Sequence, residues 1–191
     1  MKKVLLLLAD GFESFEASAF IDVIGWNHAE GDMSTELFSC ALKKEIKSSF
    51  NQKFIVDYLL DEIDIHSFDA LAIPGGFEIY GFYNDAYNEK FLDVIRRFKT
   101  ENKVIASICV GSLPVAKSGI LINKNATVYD SVKRRKELLE FGANVLDQPI
   151  VLDDNIITSW NPSTAINVAL LLLELLTSKA NSDKVRKLMG F

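Results

Sequence analysis

The chain has 191 residues, of which 49% are hydrophobic and 25% charged, with a formal net charge of −5 at neutral pH. That is the balance of an ordinary globular domain large enough to bury a full core. An acidic chain offers no basic footprint for nucleic acid. Two cysteines (Cys40, Cys109) and two histidines (His28, His66) are too few for a disulfide framework or a metal centre, so no metal and no cofactor is expected.

Met1-Lys2-Lys3 followed by Val4 to Leu8 imitates a secretory signal, but the apolar run stops at Asp10, short of the roughly 7–15 residues such a segment needs. It reads instead as a central strand, Val4–Ala9. A helix is predicted from Glu13 to about His28, ending near Gly31. A second strand, Glu36–Leu42, puts Phe38, Cys40 and Leu42 on one face, which makes Cys40 plain core. Ile46 to Val56 suggests a short hairpin or a pair of edge strands. Asp69–Ile73 is a buried strand running into Pro74-Gly75-Gly76. Asn88 to Thr100 carries Phe91, Leu92, Val94, Ile95 and Phe98 at helical spacing.

Lys103–Ile108 is the next strand, with a helix after it through about Lys117. Ser131–Phe141 reads as a charged helix closed by Gly142, its Lys133-Arg134-Arg135-Lys136 run a solvated face. Ile150–Leu152 and Ile156–Thr158 flank the turn Asp153-Asp154-Asn155. Pro162–Leu176 is a long apolar helix, and Asn181–Met189 one more short helix. The apolar run Val168 to Leu176 contains Glu174 and is too short to span a bilayer, which takes ~20 residues. We expect one domain over residues 1–191, no membrane partner and a cytoplasmic location.

Alternating strands and helices imply an α/β fold with a mostly parallel sheet and helices on both faces. Such sheets place their sites at the carboxyl ends of strands. Four of those ends carry polar or glycine-rich chemistry: Asp10–Glu16, Pro74–Glu78, Cys109–Ser112 and Ser159–Ser163.

The sharpest of the four is Cys109. A β-branched strand ends in the cysteine, and Gly111 then opens a helix with Pro114 in its first turn. This strand–turn–helix elbow lifts the thiol above the sheet edge and distinguishes it from an ordinary core cysteine. A helix start favours thiolate over thiol, so the position is expected to pull the Cys109 thiol down.

Taken together, Ala9-Asp10-Gly11-Phe12-Glu13-Ser14-Phe15-Glu16, Ala72-Ile73-Pro74-Gly75-Gly76, Ile108-Cys109-Val110-Gly111-Ser112 and Thr158-Ser159-Trp160-Asn161-Pro162-Ser163-Thr164 resemble the DJ-1/PfpI family over nearly the whole chain. That family belongs to the class I glutamine-amidotransferase-like superfamily. The resemblance implies a flavodoxin-like three-layer sandwich. It implies Cys109 as nucleophile and Glu16 as the glutamate beside it, with Glu13 facing solvent. A protonated Glu16 would donate a hydrogen bond to the sulfur, and the two would share one proton. The N–H groups of Gly76 and Val110 become oxyanion donors beside Gly75. Trp160 and Asn161 fall near the pocket mouth, where Trp160 either walls off an apolar site or packs against a second subunit.

The chain departs from the family pattern where relatives carry a histidine. Val110 follows the cysteine, and Tyr129 or Asp130 stands at the other histidine position. His28 and His66 are not expected to reach Cys109, which leaves Glu16, Asp130, Tyr129 or water as general base. The aromatic stretch from Phe77 to Tyr87 reads as a helix or loop packed on the sheet. The implied function is cysteine-dependent chemistry on a small electrophile such as a reactive carbonyl, with Glu16 as proton relay, and the implied assembly is a homodimer. A non-enzymatic redox sensor, in which Cys109 is oxidised to the sulfinic acid, is the alternative. A ligand-binding module on the same fold is a third reading.

Overall fold

A computed structural model describes all residues, 1–191. The elements run β1 (Lys2–Leu7), α1 (Ser14–Glu30), β2 (Thr35–Ala41), β3 (Glu45–Lys47), β4 (Lys53–Ile55), β5 (Tyr58–Leu59), β6 (Ala70–Ile73), α2 (Phe82–Ala86) and α3 (Glu89–Thr100). They continue with β7 (Val104–Ser107), α4 (Ser112–Lys117), β8 (Asn125–Ala126), α5 (Val132–Glu140), β9 (Asn144–Val145), β10 (Ile150–Asp153), β11 (Ile156–Ser159), α6 (Ala165–Leu176) and α7 (Lys179–Leu188).

Seven strands form one sheet in the order β10-β11-β7-β6-β1-β2-β5. Every pairing is parallel except β10 with β11. The unbroken apolar runs of β1 and β6 follow from this, because strands covered on both faces have no solvent side to spend on polar residues. Val4 to Leu7 and Ala70 to Ile73 are wholly buried. Helices α1, α6 and α7 pack together on one face, and α3, α4 and α5 form the group on the other, with α3 against β6 and β7. Helix α3 shows why the pattern works: Phe91, Leu92, Val94, Ile95 and Phe98 form one buried stripe, and Asn88 caps its start by accepting from the N–H of Lys90 at 3.0 Å.

The flavodoxin-like layered sandwich is therefore the fold, and the predicted elements fall within a few residues of those observed. The 46–56 segment is an antiparallel hairpin of β3 and β4, outside the main sheet. The long apolar helix begins with a 3-10 turn, Pro162–Thr164, before α6. Strands β5, β8 and β9, of two residues each, are too short to carry a period and went unpredicted, whereas helix α2 falls within the aromatic stretch read as a helix or loop. No helix is long and apolar enough to cross a membrane. Cys40 is fully buried core, and burial pushes its thiol far above the ordinary range.

Candidate active site

The carboxyl edge of the sheet brings three chain segments to one point. Strand β7 ends, and Cys109 opens a 3-10 turn, Cys109–Gly111, that leads into α4. Its φ is 58°, a left-handed conformation that a side chain other than glycine adopts at a cost of order 1–3 kcal/mol. The surroundings hold it there. Ser107 Oγ lies 3.1 Å from Ser112 Oγ and donates to the carbonyl of Ile157 at 3.2 Å, which ties strand end to helix start. The N–H of Tyr129 reaches the carbonyl of Cys109 at 3.4 Å.

Glu16, in the first turn of α1, is completely buried. Its Oε2 accepts from the N–H of Gly75 at 2.6 Å, whereas Oε1 has no nitrogen or oxygen partner. Burial pushes the carboxyl from 4.5 up to about 8, against the opposing pull of the Gly75 bond and of the Cys109 thiol. Glu16 therefore holds its proton at neutral pH.

The Cys109 thiol lies above its usual range, contrary to the downward pull expected from a helix start. Burial is the main cause and the charge of an ionised Glu16 the next, while the Val110 N–H pulls the other way. The helix that was to supply the field is only six residues long and stands behind a 3-10 turn. The two groups titrate as a pair, and the first proton to leave is shared between them.

Glycine is required at both positions after Pro74. A Cβ on Gly75 would sit 3.0 Å from Cys109 Cβ, from Glu16 Oε2 and from Val110 N. A Cβ on Gly76 would run into the Phe82 ring and the carbonyl of Gly11. The amides flanking Gly76 are engaged, Gly75 to Glu16 and Phe77 to the carbonyl of Gly11 at 2.9 Å, but that of Gly76 donates to no protein acceptor.

Cys109, Glu16, Gly76, Val110 and Tyr129 line one cavity of about 310 Å³, room for a small molecule. Gly75 supports its floor through Glu16. Tyr129, not Asp130, turns into the cavity. Asp130 faces Arg135, whose Nε donates to it at 3.1 Å, and its own N–H donates to Asn161 Oδ1 at 3.2 Å. Trp160 and Asn161 do not line the cavity; Trp160 lies under the Arg135 guanidinium at 5.4 Å, and Pro162 takes the lining position. Trp160 therefore does not wall this cavity. Of the histidines, His28 contacts the carbonyl of Thr35 and His66 pairs with Glu101, both outside the cavity.

Two lining residues overturn the sequence reading. Glu13, expected in solvent, is buried: its N–H donates to the carbonyl of Gly75 at 2.8 Å, and its side chain caps α1. Arg134, expected on a solvated face, turns inward. Its Nη1 donates to both carboxylate oxygens of Glu137 at 3.0 and 2.8 Å, its Nη2 to Glu78 at 2.8 Å, and it stacks on Tyr83 at 5.0 Å. The signal was present in the spacing: Arg134 stands four residues before the fully buried Leu138, on the same helix face. Phe77, Glu78 and Ile79, on the turn after Pro-Gly-Gly, complete the rim.

The chain is similar to several known proteins. A protein of Schizosaccharomyces pombe named glutathione-independent glyoxalase DJ-1 is 34% identical over 98% of this chain and 97% of its own. Protein DJ-1 homolog B of Arabidopsis thaliana is 29% identical over 90% of this chain, which spans only 37% of that longer relative. The crystal structure of Drosophila melanogaster DJ-1beta superposes with a TM-score of 0.86 at 28% identity, covering 98% of this chain and 97% of that one. The sequence profile of the DJ-1/PfpI family matches residues 2–175, and the chain belongs to that family.

Proposed function

We propose that the protein is a cysteine-dependent enzyme acting on a small reactive carbonyl, with Cys109 as nucleophile and Glu16 as proton relay. The observation that carries this reading is the pairing of a thiol at a strained elbow with a buried, neutral carboxyl inside a cavity of about 310 Å³. The glyoxalase name of the S. pombe relative supports the choice of a carbonyl substrate.

The sulfur adds to the aldehyde carbon, and the carbonyl electron pair moves to oxygen. That oxygen is met by the N–H groups of Gly76 and Val110, and Glu16 gives it a proton while taking the one that the thiol loses, so the carboxyl stays neutral. Amide cleavage asks for more, because the departing amine needs an acid. With no histidine at the cavity, hydrolysis of peptides and glutamine is expected to be very weak.

The sensor reading uses the same thiol. The glyoxalase name of the S. pombe relative is what favours carbonyl addition over attack on peroxide. We further propose that the protein acts as a homodimer in the cytoplasm, with both cysteines free.

The test follows lactate from methylglyoxal by proton NMR, beside glutamine and a fluorogenic peptide, in wild type and Cys109→Ser. Lactate from wild type alone supports the reading. Efficient peptide turnover that survives Cys109→Ser overturns it.

A further inference from the structure

Glu16 is not the only acidic side chain at the cavity that holds the thiol. Glu13 also lines the cavity, from the residue that caps α1, and its backbone is fixed to the same loop through the 2.8 Å bond from its N–H to Gly75. It is only 9% exposed and takes part in no ion pair; its one side-chain partner is the N–H of Phe15 at 3.4 Å. The other lining acid, Glu78, is held by Lys133 at 3.1 Å and Arg134 at 2.8 Å.

Conversion of an aldehyde with a neighbouring ketone into a hydroxy acid needs more than thiol addition. A proton must leave the carbon that carries the sulfur, and some group must take it. Glu16 holds its own proton at neutral pH. Asp130 points away, and no histidine is present at the cavity.

Resting on the carbonyl reading above, we propose that Glu13 is the general base of this reaction, taking the proton from the sulfur-bearing carbon of the hemithioacetal. The C–H electron pair then becomes a carbon–carbon double bond. The ketone's π pair moves to its oxygen, which takes a proton from Glu16. The enediol collapses in reverse order. The hydroxyl on the sulfur-bearing carbon loses its proton to Glu16 and becomes a carbonyl, while the neighbouring carbon takes the proton back from Glu13. A hydroxy thioester results, and water cleaves it to the hydroxy acid and the free thiol. One carbon is oxidised and its neighbour reduced, so no external oxidant is involved, and both carboxyl groups end as they began.

The experiment uses the whole protein with methylglyoxal and the variants Glu13→Gln and Glu13→Asp. Gln keeps an oxygen for the Phe15 N–H, so the start of α1 is retained. We expect Glu13→Gln to lose about 10²–10⁴-fold in kcat for lactate, the usual worth of a general base, with KM little changed. Iodoacetamide labelling of Cys109 should persist. Glu13→Asp should recover part of the rate, with a larger isotope effect than wild type on substrate deuterated at the aldehyde carbon. Wild-type kcat in Glu13→Gln overturns the proposal, as does loss of labelling alongside turnover in both variants, which marks a structural role. A wild type that labels but makes no lactate removes the carbonyl reading itself, and the role of Glu13 with it.

Discussion

The N–H of Gly75 donates to Oε2 of Glu16 at 2.6 Å, which leaves Oε1, with no nitrogen or oxygen partner, as the oxygen free to carry the proton of the neutral carboxyl. One hydrogen bond thus sets both the orientation of the acid and the side from which it gives its proton. Any residue larger than glycine at position 75 would crowd this arrangement, because its Cβ would stand 3.0 Å from that same Oε2.

The first consequence is a pH-dependent stability. The folded-state value of Glu16, about 8, lies above its ordinary 4.5, so between these values the native protein keeps a proton that the unfolded chain has released. The stability contributed by the protonated group is complete below the ordinary value and is lost as pH rises through about 8. Glutamine carries no such charge. The Tm of Glu16→Gln relative to wild type should therefore climb steadily from pH 4.5 to about 8 and level off above. A difference that stays flat across that window contradicts the burial of a neutral acid.

Thiol labelling reads the same pair from the other side. In the folded protein Cys109 should label with iodoacetamide slowly at neutral pH, at a rate that rises only above the ordinary thiol range, while fully buried Cys40 stays silent. In Glu16→Gln the repulsive carboxylate is gone and an amide donor remains, so the midpoint for Cys109 should move down. Faster labelling of Cys40 in the native state would show that the elbow cysteine is not the accessible one.

Two glycines give opposite expectations. Gly76→Ala drives a methyl into the Phe82 ring and the carbonyl of Gly11, and should cost about 1–3 kcal/mol by denaturant melt while displacing the free amide. Gly25 lies inside α1 with open space around it, and Gly25→Ala should stabilise by about 0.5–1 kcal/mol. Equal effects at the two positions would contradict the tight packing of the loop.

The homodimer is checked by sedimentation at micromolar concentration, where we expect a species of twice the 21.4 kDa chain mass. A single species at the chain mass removes that part of the proposal.

Much of this was legible in the sequence because long, buried elements leave a period. The apolar runs of β1 and β6, the stripe from Phe91 to Phe98 and the glycine after the elbow each report a local constraint that tertiary packing obeys. Strands of two residues report nothing of the kind. The site divides the same way. Cys109, Glu16 and Gly76 sit in local motifs, whereas Glu13 and Arg134 look like surface charges until the turn after Pro74 and helix α5 close over them. The thiol's upward displacement was hidden for the same reason: the elbow is written in the sequence, but the burial of Cys109 at 8% exposure is a property of the assembled sheet edge.

The central claim is that Cys109 forms a covalent adduct with a reactive carbonyl on the way to product. Methylglyoxal isotopically labelled at the aldehyde carbon, followed by carbon NMR with protein near stoichiometric, tests it most directly. We expect a protein-bound hemithioacetal signal in wild type that decays into the lactate carboxyl, and no bound signal and no lactate with Cys109→Ser. Lactate appearing at the wild-type rate with Cys109→Ser would contradict the account.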